Sequence, residues 1–159
     1  MTTTAEHMNS IKMDDRYLFR AKRHDNDEWI TGNLIQVDKP TGGVGCAIQH
    51  GFKIINDVDV SFCTNKVNPE TIGQCTGLKD KNNNLIFEGD IVLFSDNPIH
   101  ENALAVCVFL KSRMMYAYKF IHHPKPEMVG KATDIVDSWR KYEVIGNIHD
   151  NPKLLEVRK

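Results

Sequence analysis

Ala103-Leu-Ala-Val-Cys-Val-Phe-Leu110, then Lys111-Ser-Arg113, then Met114-Met-Tyr-Ala-Tyr-Lys-Phe-Ile121: two apolar runs are separated by a short polar turn. Runs of this length, rich in β-branched and aromatic residues, are strands, and the turn makes them a hairpin. In the second run Met114, Tyr116, Tyr118 and Phe120 fall on one face by the period of two. His122-His-Pro-Lys-Pro126 ends the pair, because proline brings no N–H to a sheet ladder.

The same punctuation recurs outward from this hairpin. Upstream, Leu85 to Glu88 and Asp90 to Phe94 flank Gly89, which reads as a strand kinked or bulged at the glycine. Lys79 to Asn84 is a polar turn, and Thr71 to Thr76 is extended between bends at Gly73 and Gly77. Near the start, Tyr17, Phe19 and Ala21 alternate with Leu18, Arg20 and Lys22. His24 to Asp27 then turns the chain into a second strand, Glu28 to Val37. Short β-like stretches follow at Val44 to Gln49, Lys53 to Ile55 and Val58 to Phe62. Downstream, Thr133 to Trp139 reads as one or two helical turns with Thr133 as N-cap, and Tyr142 to Ile148 as the last strand. Residues 1–15 are polar and aperiodic, a flexible leader. The sum is a mainly β chain of about eight to ten short strands with little helix, a small barrel or sandwich. A seam near Gly77 to Asn84 divides an N-terminal β-rich unit, 16–77, from a C-terminal one, 78–159.

Composition narrows the function classes. The 159 residues are 41% hydrophobic and 26% charged, which suits a globular protein rather than a disordered one. No run nears the roughly 20 apolar residues of a membrane span, and the N-terminus lacks the order of a signal peptide. The expectation is a cytoplasmic protein without membrane contact. Net charge is −1; Arg16 to Gly77 carries seven basic and seven acidic residues, and Leu78 to Lys159 twelve and eleven. A dedicated nucleic-acid binder usually concentrates positive charge, and no segment does so here.

Sites of chemistry are sparse. The four cysteines, at 46, 63, 75 and 107, form no CxxC pair, so reduced structural thiols are expected rather than a zinc ribbon. Seven histidines include the neighbours His122 and His123, which a strand would point to opposite faces. Gly42, Gly43 and Gly45 lack the following helix and the GK[ST] ending of a phosphate loop, and read as an ordinary turn. No strained-turn motif frames a nucleophile. Catalytic, cofactor and metal residues are therefore not assigned. Exposed aromatics are the better clue: Tyr116 and Tyr118, near Lys111, Arg113 and Lys119, are the residues to stack and neutralise single-stranded nucleic acid. The competing reading makes the aromatic stripe the core itself.

The segment from Asn68-Pro-Glu-Thr71 through Gly77-Leu-Lys-Asp80 to Phe87-Glu-Gly-Asp-Ile-Val92 resembles the YopX-like proteins of phages and prophages. Tyr17 to Arg23 with Glu28-Trp29 and Gly32-Asn-Leu34 is similar to that family's start, and Tyr142 to Leu155 to its close. Cys75 stands where an aromatic is expected and Asn84 where a glycine is common. The resemblance implies a β-rich fold with an SH3-like small barrel in the C-terminal unit, and no defined enzymatic activity or ligand. The functional expectation is a non-enzymatic phage or prophage accessory protein binding a phage or host protein. The alternative is a nucleic-acid-binding small barrel. An exposed sheet edge would also allow a homo-oligomer.

Overall fold

Alternation of apolar and polar residues sets most of the backbone into strands, and tight turns decide which strands meet. The computed structural model describes residues 14–38, 42–55, 59–95, 99–134 and 142–156, without the side chains of 52–55 and 59–60. Eleven strands are defined among them: β1 (Phe19–Lys22), β2 (Trp29–Asp38), β3 (Val44–Ile55), β4 (Asp59–Lys66), β5 (Gly73–Lys79), β6 (Leu85–Phe87), β7 (Asp90–Phe94), β8 (Ala103–Leu110), β9 (Met115–His122), β10 (Ala132–Asp134) and β11 (Glu143–Asn147). The helical content of the described residues is confined to short 3-10 turns, such as Asp15–Tyr17 and Pro69–Thr71. No helix among the described residues is long and apolar enough to cross a membrane.

Among the described residues every strand pairing is antiparallel, and the strands form two open sheets, a six-stranded one in the order β4-β3-β2-β1-β5-β6 and a five-stranded one in the order β10-β9-β8-β7-β11. Among the described residues neither sheet closes into a barrel. The leading hairpin is β8 and β9, in the register Cys107↔Tyr118 and Phe109↔Tyr116. Its core side is dense: Phe94, Cys107, Tyr118, Phe120 and Tyr142 are buried together with Ile86 and Val92.

Three sequence expectations change. The stretches from Val44 to Ile55 are one strand, because a bulge at His50, between Gln49↔Thr64 and Gly51↔Cys63, absorbs the apparent break without ending the pairing. Thr133 caps no helix; it lies in β10 opposite Tyr118, and residues 135–141 fall outside the described residues. Gly89 is no kink within one strand. It is the junction at which the chain leaves the six-stranded sheet and enters the five-stranded one. Its φ of +84° is a conformation that only glycine adopts readily. There its N–H donates to the Cys107 carbonyl (2.9 Å), and its carbonyl accepts from Ile148 N–H (2.9 Å). Gly42 and Gly43 lie between antiparallel β2 and β3, with no helix following.

The leader expected over 1–15 lies outside the described residues as far as 13. From Asp14 the chain is placed, and the Asp14 carboxylate caps the first 3-10 turn by accepting from Arg16 N–H. Strand β5 runs through Gly77, and β6 pairs with it across the turn that follows. Buried Asp80 fixes that turn: its carboxylate accepts from the N–H groups of Asn82, Asn84 and, in β11, Val144. Burial alone would raise its pKa; these donors outweigh it and hold the group below the usual carboxylate range.

Candidate functional site

Three groups of side chains stand out, two polar and one largely apolar, and they lie in different places. The first is where the sheets meet. Arg20 on β1 is ion-paired with buried Asp90 on β7, whose second oxygen accepts from Phe87 N–H at 2.8 Å. The Arg20 guanidinium also lies 4.8 Å from the Trp29 ring centroid and 4.9 Å from that of Phe87. Beside it Lys22 is ion-paired with Asp150, which accepts from Trp29 Nε1 (2.6 Å) and Asn147 Nδ2 (2.8 Å). Burial raises the Asp90 pKa, with Arg20 opposing it. The Lys22 and Asn147 hydrogen bonds bring Asp150 down to about 2. Each of these carboxylates has its own cation, and the Arg20–Asp90 pair fastens β1 of one sheet to β7 of the other. Its members come from all three segments that carry the family resemblance: Arg20, Lys22 and Trp29; Phe87 and Asp90; Asn147 and Asp150.

The second group is the one singled out for nucleic acid. Lys111, Arg113 and Lys119 are exposed, and Arg113 lies 3.5 Å from Asp134. Tyr116 is half-buried; its hydroxyl donates to Gln74 Oε1 at 3.0 Å, and burial pushes its pKa up to about 12. Tyr118 is only 1% exposed and packs edge-on against Phe94 and Tyr142. A base cannot stack on a ring already covered by the core, so Tyr118 leaves the candidate set. Lys119, next along the strand, points to the opposite face. The structure therefore leaves three cations without the aromatic platform.

The third group lies along the six-stranded sheet. A groove of about 560 Å³ is lined by Val37, Val44, Cys46, Ala47, Val67 and Pro69, with His24 and Lys66 also on its wall. Val37 and Val44 are exposed, as is Phe62 on the edge strand β4. The sequence signal was there: valines crowd the glycine turn between β2 and β3, where solvent-facing positions are usually polar.

The remaining reactive residues gather little. All four cysteines are free; Cys75 and Cys107 are buried, and burial pushes both thiols up. Among the described residues no three His, Cys, Asp or Glu side chains cluster as a metal would require. One pairing escaped the sequence: His100 and His123 meet, with Nδ1 of the first 3.0 Å from Nε2 of the second.

Fold and clusters together define an all-β protein of two open antiparallel sheets joined by ion pairs. The chain belongs to the YopX protein family, which matches residues 18–156. It is also similar to a solved structure, protein EF1440 from Enterococcus faecalis. The identity is 26% and the TM-score 0.55, and the match covers 87% of this chain and 96% of that one. No curated protein matches the chain.

Proposed function

We propose that this protein is a non-enzymatic binding module, a cytoplasmic phage or prophage accessory factor that grips a protein partner along β2, β3 and β4. The observation that carries the reading is the coincidence, on one arm of the six-stranded sheet, of the apolar groove and an edge strand with Phe62 exposed. An unpaired edge offers backbone donors and acceptors to an incoming strand, and a neighbouring groove takes its apolar side chains. A second copy of the chain meets the same requirements, which keeps homo-oligomerisation within this reading.

The test is capture from producing cells on immobilised full-length protein, followed by titration of the identified partner by calorimetry. Val37→Asp with Phe62→Asp is expected to weaken that partner at least tenfold. Unchanged affinity removes the arm from consideration. A second reading rests on the exposed Lys111, Arg113 and Lys119. It requires a salt-dependent mobility shift with single-stranded DNA or RNA that Lys111→Ala plus Arg113→Ala weakens. The SH3-like comparison applies to the five-stranded sheet, where closure would need β10 and β11, its two edges, to meet.

A further inference from the structure

We propose that His100 and His123 form a proton-operated latch, holding the turn before β8 against the end of β9 while both rings are neutral and releasing it when one is protonated. The argument begins with a bulge. Leu104 pairs with His122 and Ala105 with Phe120, so Ile121 is the extra residue, and the alternation of faces shifts by one. Phe120 and His123 are consequently both buried, whereas His122 is partly exposed. Sequence periodicity counted from Phe120 would have sent His122 inward instead.

His123 Nδ1 accepts a hydrogen bond from Lys125 N–H at 2.9 Å, so in the neutral ring the proton is on Nε2. That N–H points at His100 Nδ1, 3.0 Å away, and accepts no alternative arrangement: His100 Nδ1 must be bare and its proton on Nε2. A further proton entering at His100 Nδ1 meets the Nε2 proton of His123. One entering at His123 Nδ1 meets the Lys125 amide. Either breaks a hydrogen bond. The Lys125 contact also argues against a metal bridging the rings, because a metal on Nε2 with an N–H donor at Nδ1 would demand an imidazolate.

The surroundings favour the neutral state. The His100 ring lies 4.8 Å from Phe120 and 5.7 Å from Phe94, and the His123 ring 4.8 Å from Phe120, centroid to centroid. Among the described residues, Lys125 disfavours a proton on either ring, and of Glu127 and His122 beside His123 only Glu127 favours one. Burial, the largest influence, holds both rings below the usual imidazole range. The latched pieces are short. Ala103 N–H donates to the His100 carbonyl, and Gly130 N–H to the Phe120 carbonyl, at 2.9 and 2.8 Å. Opening would uncover Phe120 at one end of the five-stranded core.

The sign follows from linkage. The open state takes up a proton at the ordinary imidazole value of about 6.5, and the closed state resists it. The latch therefore holds fully above that value and weakens as the pH falls below it, by up to about tenfold per pH unit for each proton taken up. The test uses full-length ¹⁵N-labelled protein. Imidazole spectra at pH 8 should show His123 bare at Nδ1 and His100 protonated at Nε2. Amide exchange at Ala103 and Gly130, corrected for intrinsic pH dependence, should accelerate up to about tenfold per unit between pH 6.5 and 5. His100→Gln should flatten that acceleration. A His123 ring protonated on Nδ1, both rings titrating at the ordinary imidazole value, or an acceleration that persists in His100→Gln would each overturn the latch. Should the variant not fold, the tautomers and titrations of the unaltered protein decide alone.

Discussion

Around Phe94 in the five-stranded sheet, Tyr118, Phe120 and Tyr142 pack with ring centroids 5.2–5.9 Å apart. Among the described residues, the buried cluster of the six-stranded sheet is Ala21, Ile48 and Val67, with Phe19, Ile30 and Leu34 packed partly against it. Aromatic rings bury large areas and add their own edge-to-face attraction, so among the described residues the first sheet's cluster is the more cohesive. The second keeps its long strands and exposed valines at modest cost. The contrast is one of packing: one sheet is anchored by a cluster of aromatic rings, and the other by smaller aliphatic side chains and long strand ladders. Six substitutions probe that contrast.

The largest effect is expected from Phe94→Ala, which empties the centre of the aromatic cluster and should cost about 3–5 kcal/mol in urea unfolding. Ile48→Ala costing as much would erase the contrast. Arg20→Met comes next. It leaves Asp90 buried beside the Phe87 amide without its cation, a loss of about 2–3 kcal/mol given that Arg20 keeps some exposure. That deficit should shrink on acidification, because a neutral Asp90 no longer needs the partner; a pH-independent deficit would mean the arginine acts only by packing. Gly89→Ala forces a Cβ into positive φ and should cost about 1–2 kcal/mol, read as a lowered midpoint with an unchanged denaturant slope.

Asp150→Asn is expected to cost under about 1 kcal/mol, since the Lys22 pair is partly exposed. The sign is fixed by a folded pKa of about 2, below the ordinary aspartate value of 3.8. Its stabilisation is present above the unfolded pKa and disappears as the pH falls towards 2, so wild type and variant should converge there. Convergence at higher pH would contradict the assignment. Smallest of all, Phe62→Ser should move stability by no more than about 0.5 kcal/mol while reducing partner capture. A large loss of stability would place Phe62 in the fold's interior economy rather than on its surface.

Alternation made the faces of this molecule legible, and distance in sequence hid the partners. The β8–β9 hairpin could be read because its two halves are neighbours in the chain and a polar turn separates them. The core reading of Tyr118 and Phe120 follows from the same period. Arg20 and Asp90, by contrast, are seventy residues apart, and neither local pattern says that they meet. Bulges explain the other differences. At His50 an irregularity looked like the end of a strand, and at Ile121 another reversed which histidine faces inward. Gly89 announced a bend, but a bend within one sheet and a passage between two look alike in sequence.

The strand order has a consequence for how the molecule comes into being. Strand β11, late in the chain, lies beside β7 rather than beside its predecessor, and Asp150 just beyond it holds Lys22 and Trp29 near the beginning. Until residues 143–150 have left the ribosome, the flank of β7 stays bare and the basic and indole groups of the opening hairpin wait for their acceptor. Completion of the fold therefore waits for residues 143–150, and a nascent chain stopped short of Glu143 exposes a ready template for mispairing.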